Sequence, residues 1–307
     1  MKILSVVGAR PQFVKLAPIH RALGSGGEHI ILHTGQHYDP LLSESFFREL
    51  SIPEPSINLN AGSGSHAQQT ARILEAIEPK ILSVKPDCVL VYGDTNSTVA
   101  AALAAVKVNI SVVHLESGLR SRNRKMPEEH NRVLTDHASD LCLAPSRQAM
   151  KNLVAEGLGD KSYFVGDVML DILLDTLQEL GIQPSTEQNS PGDTYVSTIH
   201  RQENTDNPVR LQAVLNCLAR LDRPVRLLTH PRLKSKMLQA GLRESSFPSI
   251  QFAPSLPYPE LLTALASARG LITDSGGLQK EAFFLKTRCV TLRNETEWPE
   301  TVELGWN

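Results

Sequence analysis

Short apolar runs without polar alternation recur along the whole chain, at residues 3–7, 29–33, 88–92, 110–115, 141–145, 163–165, 195–199, 225–228, 250–252, 271–273 and 289–292. A strand with helices over both faces reads this way, because neither face meets water. Stretches of helical spacing lie between most of these runs. Residues 11–23, for example, place Phe13, Leu16, Ala17, Ile19 and Leu23 on one face. Strand, helix, strand in repeated succession predicts an α/β fold with parallel sheets. The chain has 307 residues, 41% of them hydrophobic, which suits two domains. The boundary is expected at Gly166-Asp167, giving domains over 1–166 and 167–307, with a polar linker over 183–193. A helix is expected over 41–50 and a loop over 53–65.

Several function classes drop out on composition. A net charge of −2 gives no strong attraction to nucleic acid or to an anionic membrane. No apolar run approaches the roughly 20 residues of a membrane helix. The apolar part of the N-terminus is too short for a signal peptide. The four cysteines, Cys88, Cys142, Cys217 and Cys289, are far apart and form no C-x-x-C or zinc spacing. Reduced thiols in a cytoplasmic protein are expected. His130 and His137 are seven apart and make no metal motif.

Polar residues gather where the apolar runs end. In an open α/β sheet that edge binds ligands. Leu271-Ile-Thr-Asp-Ser-Gly-Gly-Leu-Gln-Lys-Glu-Ala282 runs from a buried strand through a glycine turn into a helix. Gly276 and Gly277 let a ligand come close to the backbone. The first N–H groups of the helix and its dipole favour an anion there. Ser275 adds a hydroxyl, and Glu281 lies within reach of a ribose diol. A diphosphate site competes here with an ordinary strand–turn–helix. Arg10 and Lys15 follow the first strand, as ligand cations or as solvated surface charges. Asp94 and Glu116 close two successive strands. Asp94 is also a good helix N-cap. Pro127-Glu128-Glu129 opens a helix, and Arg132 lies four residues beyond Glu128 as an i,i+4 partner. His200 and His230 end two strands of the second half.

The ordered motifs Gly8-Ala-Arg-Pro-Gln, Thr34-Gly-Gln-His-Tyr-Asp, Gly93-Asp-Thr-Asn-Ser-Thr, His114-Leu-Glu-Ser-Gly-Leu-Arg, Pro127-Glu-Glu-His-Asn-Arg, Ile199-His-Arg-Gln-Glu-Asn, His230-Pro-Arg, Thr273-Asp-Ser-Gly-Gly-Leu-Gln-Lys-Glu-Ala and Thr296-Glu-Trp-Pro-Glu span the chain. Together they resemble the non-hydrolysing UDP-N-acetylglucosamine 2-epimerases. The resemblance implies two Rossmann-like domains facing across a cleft, the glycosyltransferase-B architecture, in a homodimer. It implies reversible epimerisation at C2 of the sugar, by elimination and re-addition of UDP, for cell-surface polysaccharide precursors. No cofactor and no metal are expected.

Carried over by motif, Asp94, Glu116 and Glu128 resemble the catalytic carboxylates, and His200 the histidine that meets the diphosphate. Arg10, Lys15, Ser275, Gly276 and Gly277 resemble the UDP-holding set, and Glu281 the ribose ligand. Arg132 is expected to orient Glu128. Three departures from the family pattern stand out. Trp298 occupies a position where many members have Arg. The Gly35-Gln-His-Tyr-Asp and Glu297-Trp forms look like a branch that includes 2-epimerases of UDP-2,3-diacetamido-2,3-dideoxyglucuronic acid. The chain ends soon after the 296–299 loop, where the family continues, so an incomplete second domain is expected. A UDP-sugar-binding protein without turnover and a hydrolysing epimerase are the competing readings.

Overall fold

The computed structural model describes residues 1–24, 26–36, 52–182 and 192–307. The helix predicted over 41–50, most of the 183–193 linker, most of the Gln36–Asp39 motif and the side chain of Arg10 lie outside the described residues. The chain divides into two compact units, Met1–Ile172 and Leu173–Asn307.

The first unit runs β1 (Lys2–Val7), α1 (Arg10–Leu23), β2 (Glu28–His33), β3 (Ile57–Asn58), α2 (His66–Val84), β4 (Cys88–Tyr92), α3 (Asn96–Lys107), β5 (Ser111–Leu115), α4 (Pro127–Ala138), β6 (Leu141–Ala144), α5 (Arg147–Ala155), β7 (Ser162–Phe164) and α6 (Val168–Glu179), the last continuing into the second unit. Its strands form one parallel sheet in the order β3-β2-β1-β4-β5-β6-β7. The order reverses between β1 and β4. The loops after those two strands therefore diverge and leave a crevice at the carboxyl edge.

The second unit runs β8 (Tyr195–Ile199), α7 (Gln202–Thr205), α8 (Pro208–Ala219), β9 (Val225–Thr229), α9 (Pro231–Gln239), β10 (Ile250–Pro254), α10 (Tyr258–Ala266), β11 (Gly270–Thr273), α11 (Gly276–Phe284), β12 (Cys289–Thr291) and α12 (Pro299–Glu303). Its sheet is also parallel, in the order β10-β9-β8-β11-β12, and reverses between β8 and β11. Both units are thus doubly wound and Rossmann-like.

The cores follow the apolar runs. In the first unit Leu4, Val6, Val89, Val91 and Val112 pack against Ile77, Ile81 and the alanines of α3. Four of those alanines, Ala101, Ala102, Ala104 and Ala105, are fully buried. Small side chains let α3 lie close on the strands beneath it. In the second unit Ile199, Leu211, Leu215, Val225, Leu227 and Leu233 do the same work.

The predicted 53–65 loop contains the two-residue strand β3, which pairs Leu32 with Ile57 at the sheet edge. The helix after it starts at His66. Ser65 and Gln68 form a capping box there, which satisfies two otherwise orphan N–H groups. All four cysteines are free; Cys142 and Cys289 are buried, Cys88 is half-buried and Cys217 is exposed.

Candidate active site

At the reversal of the first sheet, β1 ends in Gly8. A Cβ on this residue would sit 2.1 Å from Thr34 Oγ1 and 2.3 Å from Ser97 Oγ, so only glycine fits. The buried Gln12 then ties the two diverging strands together. Its Oε1 accepts from the N–H groups of Gly8 (2.8 Å) and Ala9 (3.1 Å). Its Nε2 donates to the Tyr92 carbonyl (2.7 Å) and to Thr98 Oγ1 (3.0 Å).

Asp94 does not cap α3. Thr95 does, accepting from the Thr98 N–H. The Asp94 carboxylate instead takes two bonds from the Arg132 guanidinium, at 3.0 and 2.6 Å, with its side chain 31% exposed. The cap reading of this residue is therefore replaced by a cross-fold ion pair. Both bonds converge on Asp94 Oδ2 and fix that oxygen.

Glu116 leaves β5 with φ of 68°, a left-handed conformation uncommon outside glycine. Such strain is held in place by surrounding structure and clusters at functional sites. The turn aims Glu116 Oε2 at Lys15 Nζ, and the two form an ion pair with side chains 11% and 9% exposed. Gly93, with φ of 60°, leaves room for it: a Cβ there would lie 3.0 Å from Glu116 Oε2. Burial pushes the Glu116 carboxyl above the ordinary glutamate value. Lys15 pulls it down, while the charges of Asp167 and Asp94 add to the rise. A carboxyl raised in this way holds and releases a proton at higher pH than an ordinary glutamate, as a group that exchanges protons with a substrate must.

The neighbouring acids of α4 divide their work. Glu129 is buried, and both its oxygens are engaged by the Ser121 N–H, the Ser121 hydroxyl, the Arg122 N–H and Arg132 Nη1. Burial raises its pKa, but these bonds outweigh it and hold the carboxyl below the usual range. It fixes the 121–122 turn. Glu128 is half-buried beside it. The Arg132 guanidinium thus bridges Asp94 and Glu129, one helical turn from Glu128.

In the second unit the reversal between β8 and β11 brings together His200, Asp274 and the start of α11. Asp274 is fully buried and accepts from the backbone N–H groups of His200 (3.1 Å) and Arg201 (3.0 Å) and from Asn204 Nδ2 (3.0 Å). Its Oδ1 lies 3.0 Å from His200 Nδ1, and the histidine side chain is 36% exposed. Burial pushes Asp274 up, but His200 and Asn204 hold it below the ordinary aspartate value. Ser275 caps α11, its hydroxyl oxygen accepting from the Leu278 N–H and its proton left to donate. A Cβ on Gly277 would meet nothing of the protein within 4 Å. The helix start is thus open to an anion.

Trp298, where the family pattern often has Arg, is 4% exposed and braces this turn. Its Nε1 donates to the Gly276 carbonyl (3.0 Å), and Lys280 Nζ sits 4.4 Å from the ring centroid. Beside it, buried Arg293 is bidentate on Glu297 (3.0 and 3.0 Å). Glu281 is only 4% exposed, on the second turn of α11. Among the described residues no group of three or more His, Cys, Asp or Glu side chains is placed to hold a metal ion.

Residues 22–307 match the family model for UDP-N-acetylglucosamine 2-epimerase. The chain belongs to this isomerase family. A UDP-N-acetylglucosamine 2-epimerase homolog of Methanococcus maripaludis is 47% identical, over all of this chain and 88% of the relative. The UDP-2,3-diacetamido-2,3-dideoxy-D-glucuronate 2-epimerase of Pseudomonas aeruginosa is 44% identical, over all of this chain and 87% of the relative. The crystal structure of the Methanocaldococcus jannaschii UDP-GlcNAc 2-epimerase in complex with UDP-GlcNAc and UDP superposes with a TM-score of 0.92 at 41% identity, covering all of this chain and 88% of that one. No helix among the described residues is long and apolar enough to cross a membrane.

Within this epimerase-family chain the first unit brings Lys15, Asp94, Glu116 and Arg132 together. The second brings His200 to the Ser275–Gly277 turn. Sequence reasoning missed Gln12, Glu129, Asp274, Arg293 and the pair His114–Asp136. Gln12, Glu129, Asp274 and His114 stand inside the quoted motifs, and Arg293 and Asp136 stand outside them. Their common signal is a polar side chain within an otherwise apolar or tightly turned stretch.

Proposed function

We propose that the protein interconverts UDP-N-acetylglucosamine and UDP-N-acetylmannosamine at C2. The observation that carries this reading is Glu116, a buried carboxyl of raised pKa aimed by a left-handed turn at Lys15 and near the Asp94–Arg132 pair. C2 of a ring-form sugar has no adjacent carbonyl, so its proton leaves only if a bond at C1 breaks too. The C2–H bond gives its electron pair to a C1–C2 double bond, and the C1–O bond gives its pair to UDP. The proton goes to a carboxylate. Re-addition of UDP with a proton delivered to the opposite face gives the epimer. This requires acid–base groups near both faces of C2, which Asp94, Glu116 and Glu128 supply. It also requires stabilisation of the departing diphosphate. Arg10, Lys15, His200, Ser275 and the N–H groups at Gly276 and Gly277 supply that, and Glu281 accepts from the ribose.

The diacetamido uronic acid analogue is the second reading. The 44% identity to the Pseudomonas aeruginosa enzyme favours it. The C2 chemistry is the same for both sugars. We infer a cytoplasmic homodimer, to be read by sedimentation of the purified chain.

The test is proton NMR of the protein with each UDP-sugar in D₂O. Loss of the C2 proton signal, with a second anomeric signal from the manno epimer, is the expected result, and the faster sugar is the substrate. No exchange on either sugar refutes the reading. UDP binding without exchange would select a binding protein.

A further inference from the structure

Beneath the carboxylates lies a polar pair with no part yet in the chemistry. His114 on β5 and Asp136 on α4 are both fully buried. His114 Nδ1 lies 2.6 Å from Asp136 Oδ1, and Nε2 lies 2.7 Å from the Gly93 carbonyl oxygen. A carbonyl oxygen only accepts, so Nε2 carries a hydrogen. Asp136 Oδ2 accepts from the Gly118 N–H (3.0 Å) and lies 2.7 Å from Arg120 Nη2. Arg120 is in turn bidentate on Glu156 (2.8 and 2.6 Å). Burial pushes the Asp136 carboxyl up, but His114 and Arg120 outweigh it and hold it below the ordinary aspartate range. A hydrogen therefore lies between His114 Nδ1 and Asp136 Oδ1, while Nε2 donates to the Gly93 carbonyl.

Each end of the pair holds a different loop. The Gly93 carbonyl belongs to the peptide that leads into Asp94. The Gly118 N–H closes the turn that begins at Glu116. Asp136 itself stands on α4, the helix of Glu128 and Arg132. His114 thus holds the Gly93 peptide directly and the Gly118 turn through Asp136.

We propose that His114 and Asp136 are positioning residues of the reaction, a buried hydrogen-bonded clamp that sets Asp94, Glu116 and the Glu128 helix relative to one another. The proposal rests on the reading that those carboxylates move the C2 proton. A displacement of about 1 Å at a reacting group is enough to cost about 10²-fold in rate.

Two substitutions separate the ends. His114→Gln keeps a donor near the place of Nε2, and His114→Asn keeps one near the place of Nδ1. Each is expected to lower kcat for C2 exchange about 10²-fold, with KM and the Kd for UDP within about twofold of wild type, because neither touches the diphosphate groups. A change confined to thermal stability, with kcat per folded molecule within twofold of wild type in both variants, overturns the proposal. A second readout needs neither turnover nor a variant. In nitrogen NMR of the histidine-labelled wild-type protein, Nε2 of His114 is expected to bear a hydrogen, held on the Gly93 carbonyl. An unprotonated Nε2 overturns the clamp. If the wild-type protein leaves C2 untouched on both UDP-sugars, the epimerase reading falls, and the nitrogen spectra still decide the state of the pair.

Discussion

Each unit carries a histidine–aspartate pair at the carboxyl edge of its sheet, and the two pairs differ in access. His114 and Asp136 are sealed from solvent, and both ring nitrogens are used by the protein. His200 leans on an equally buried Asp274, but its own ring is 36% exposed. The same two residue types thus serve different ends. A histidine whose nitrogens are both taken can only hold structure in place. One that is anchored through Nδ1 and open on its other side can meet a ligand. The first pair should therefore govern turnover, and the second should govern binding of the nucleotide.

The largest effect is expected away from either pair, at the group they serve. Glu116→Gln keeps the shape and removes the exchangeable charge. C2 exchange should fall about 10³–10⁴-fold, while calorimetry with UDP should give an unchanged Kd. A fall in UDP affinity of the same size would mean that Glu116 holds the ligand rather than the proton.

Next comes the second pair. Asp274→Asn removes the charge that anchors His200, and kcat/KM is expected to drop about 10²-fold as the imidazole loses its orientation. Most of the loss should appear in KM and in the Kd for UDP. A loss confined to kcat would erase the difference between the two units.

Gly277→Ala sharpens the same point. The added methyl meets no protein atom within 4 Å, so the melting temperature should hardly move. An anion at the start of α11 would meet it, and the Kd for UDP is expected to rise about tenfold, or about 1.4 kcal/mol. Unchanged affinity would remove the diphosphate from this turn.

The smallest effect lies outside the site. Burial, and then the neighbouring His20, lower the pKa of His29 to about 4. The unfolded chain titrates this group near 6.5, so between those values it binds more protons than the folded protein. Stability is expected to rise with pH across that window. Urea melts of wild type and His29→Gln at pH 4.5 and 7.5 should show a flatter dependence in the variant, with turnover at neutral pH unaltered.

Most strands were legible because a strand buried on both faces leaves an unbroken apolar run. The start of α2 was legible too, since helical spacing begins at Ala67, one residue inside the observed start; the strand Ile57–Asn58 was not, because it sits in a Pro-, Asn- and Ser-rich stretch that reads as loop. The role of Asp94 could not be settled locally. Asp94 and Thr95 are both good caps, and the choice between them was made by Arg132, 38 residues away. Glu116 was visible as an acid at a strand end, but its left-handed backbone was not, because nothing in a glutamate codon position announces positive φ. His114 stood inside a quoted motif as one letter of an apolar strand. Its meaning depends on Gly93 and Asp136, which only the fold brings to it.

Cleavage of the C1–O bond during epimerisation is tested most directly by positional isotope exchange. UDP-N-acetylglucosamine, or the diacetamido uronic acid analogue if that is the faster substrate, is prepared with ¹⁸O in the oxygen bridging C1 and the β-phosphorus. If UDP departs, its β-phosphate turns freely, and re-addition through another oxygen moves the label to non-bridging positions. The account predicts scrambling of the label alongside deuterium uptake at C2. Deuterium uptake with the label still bridging would contradict it.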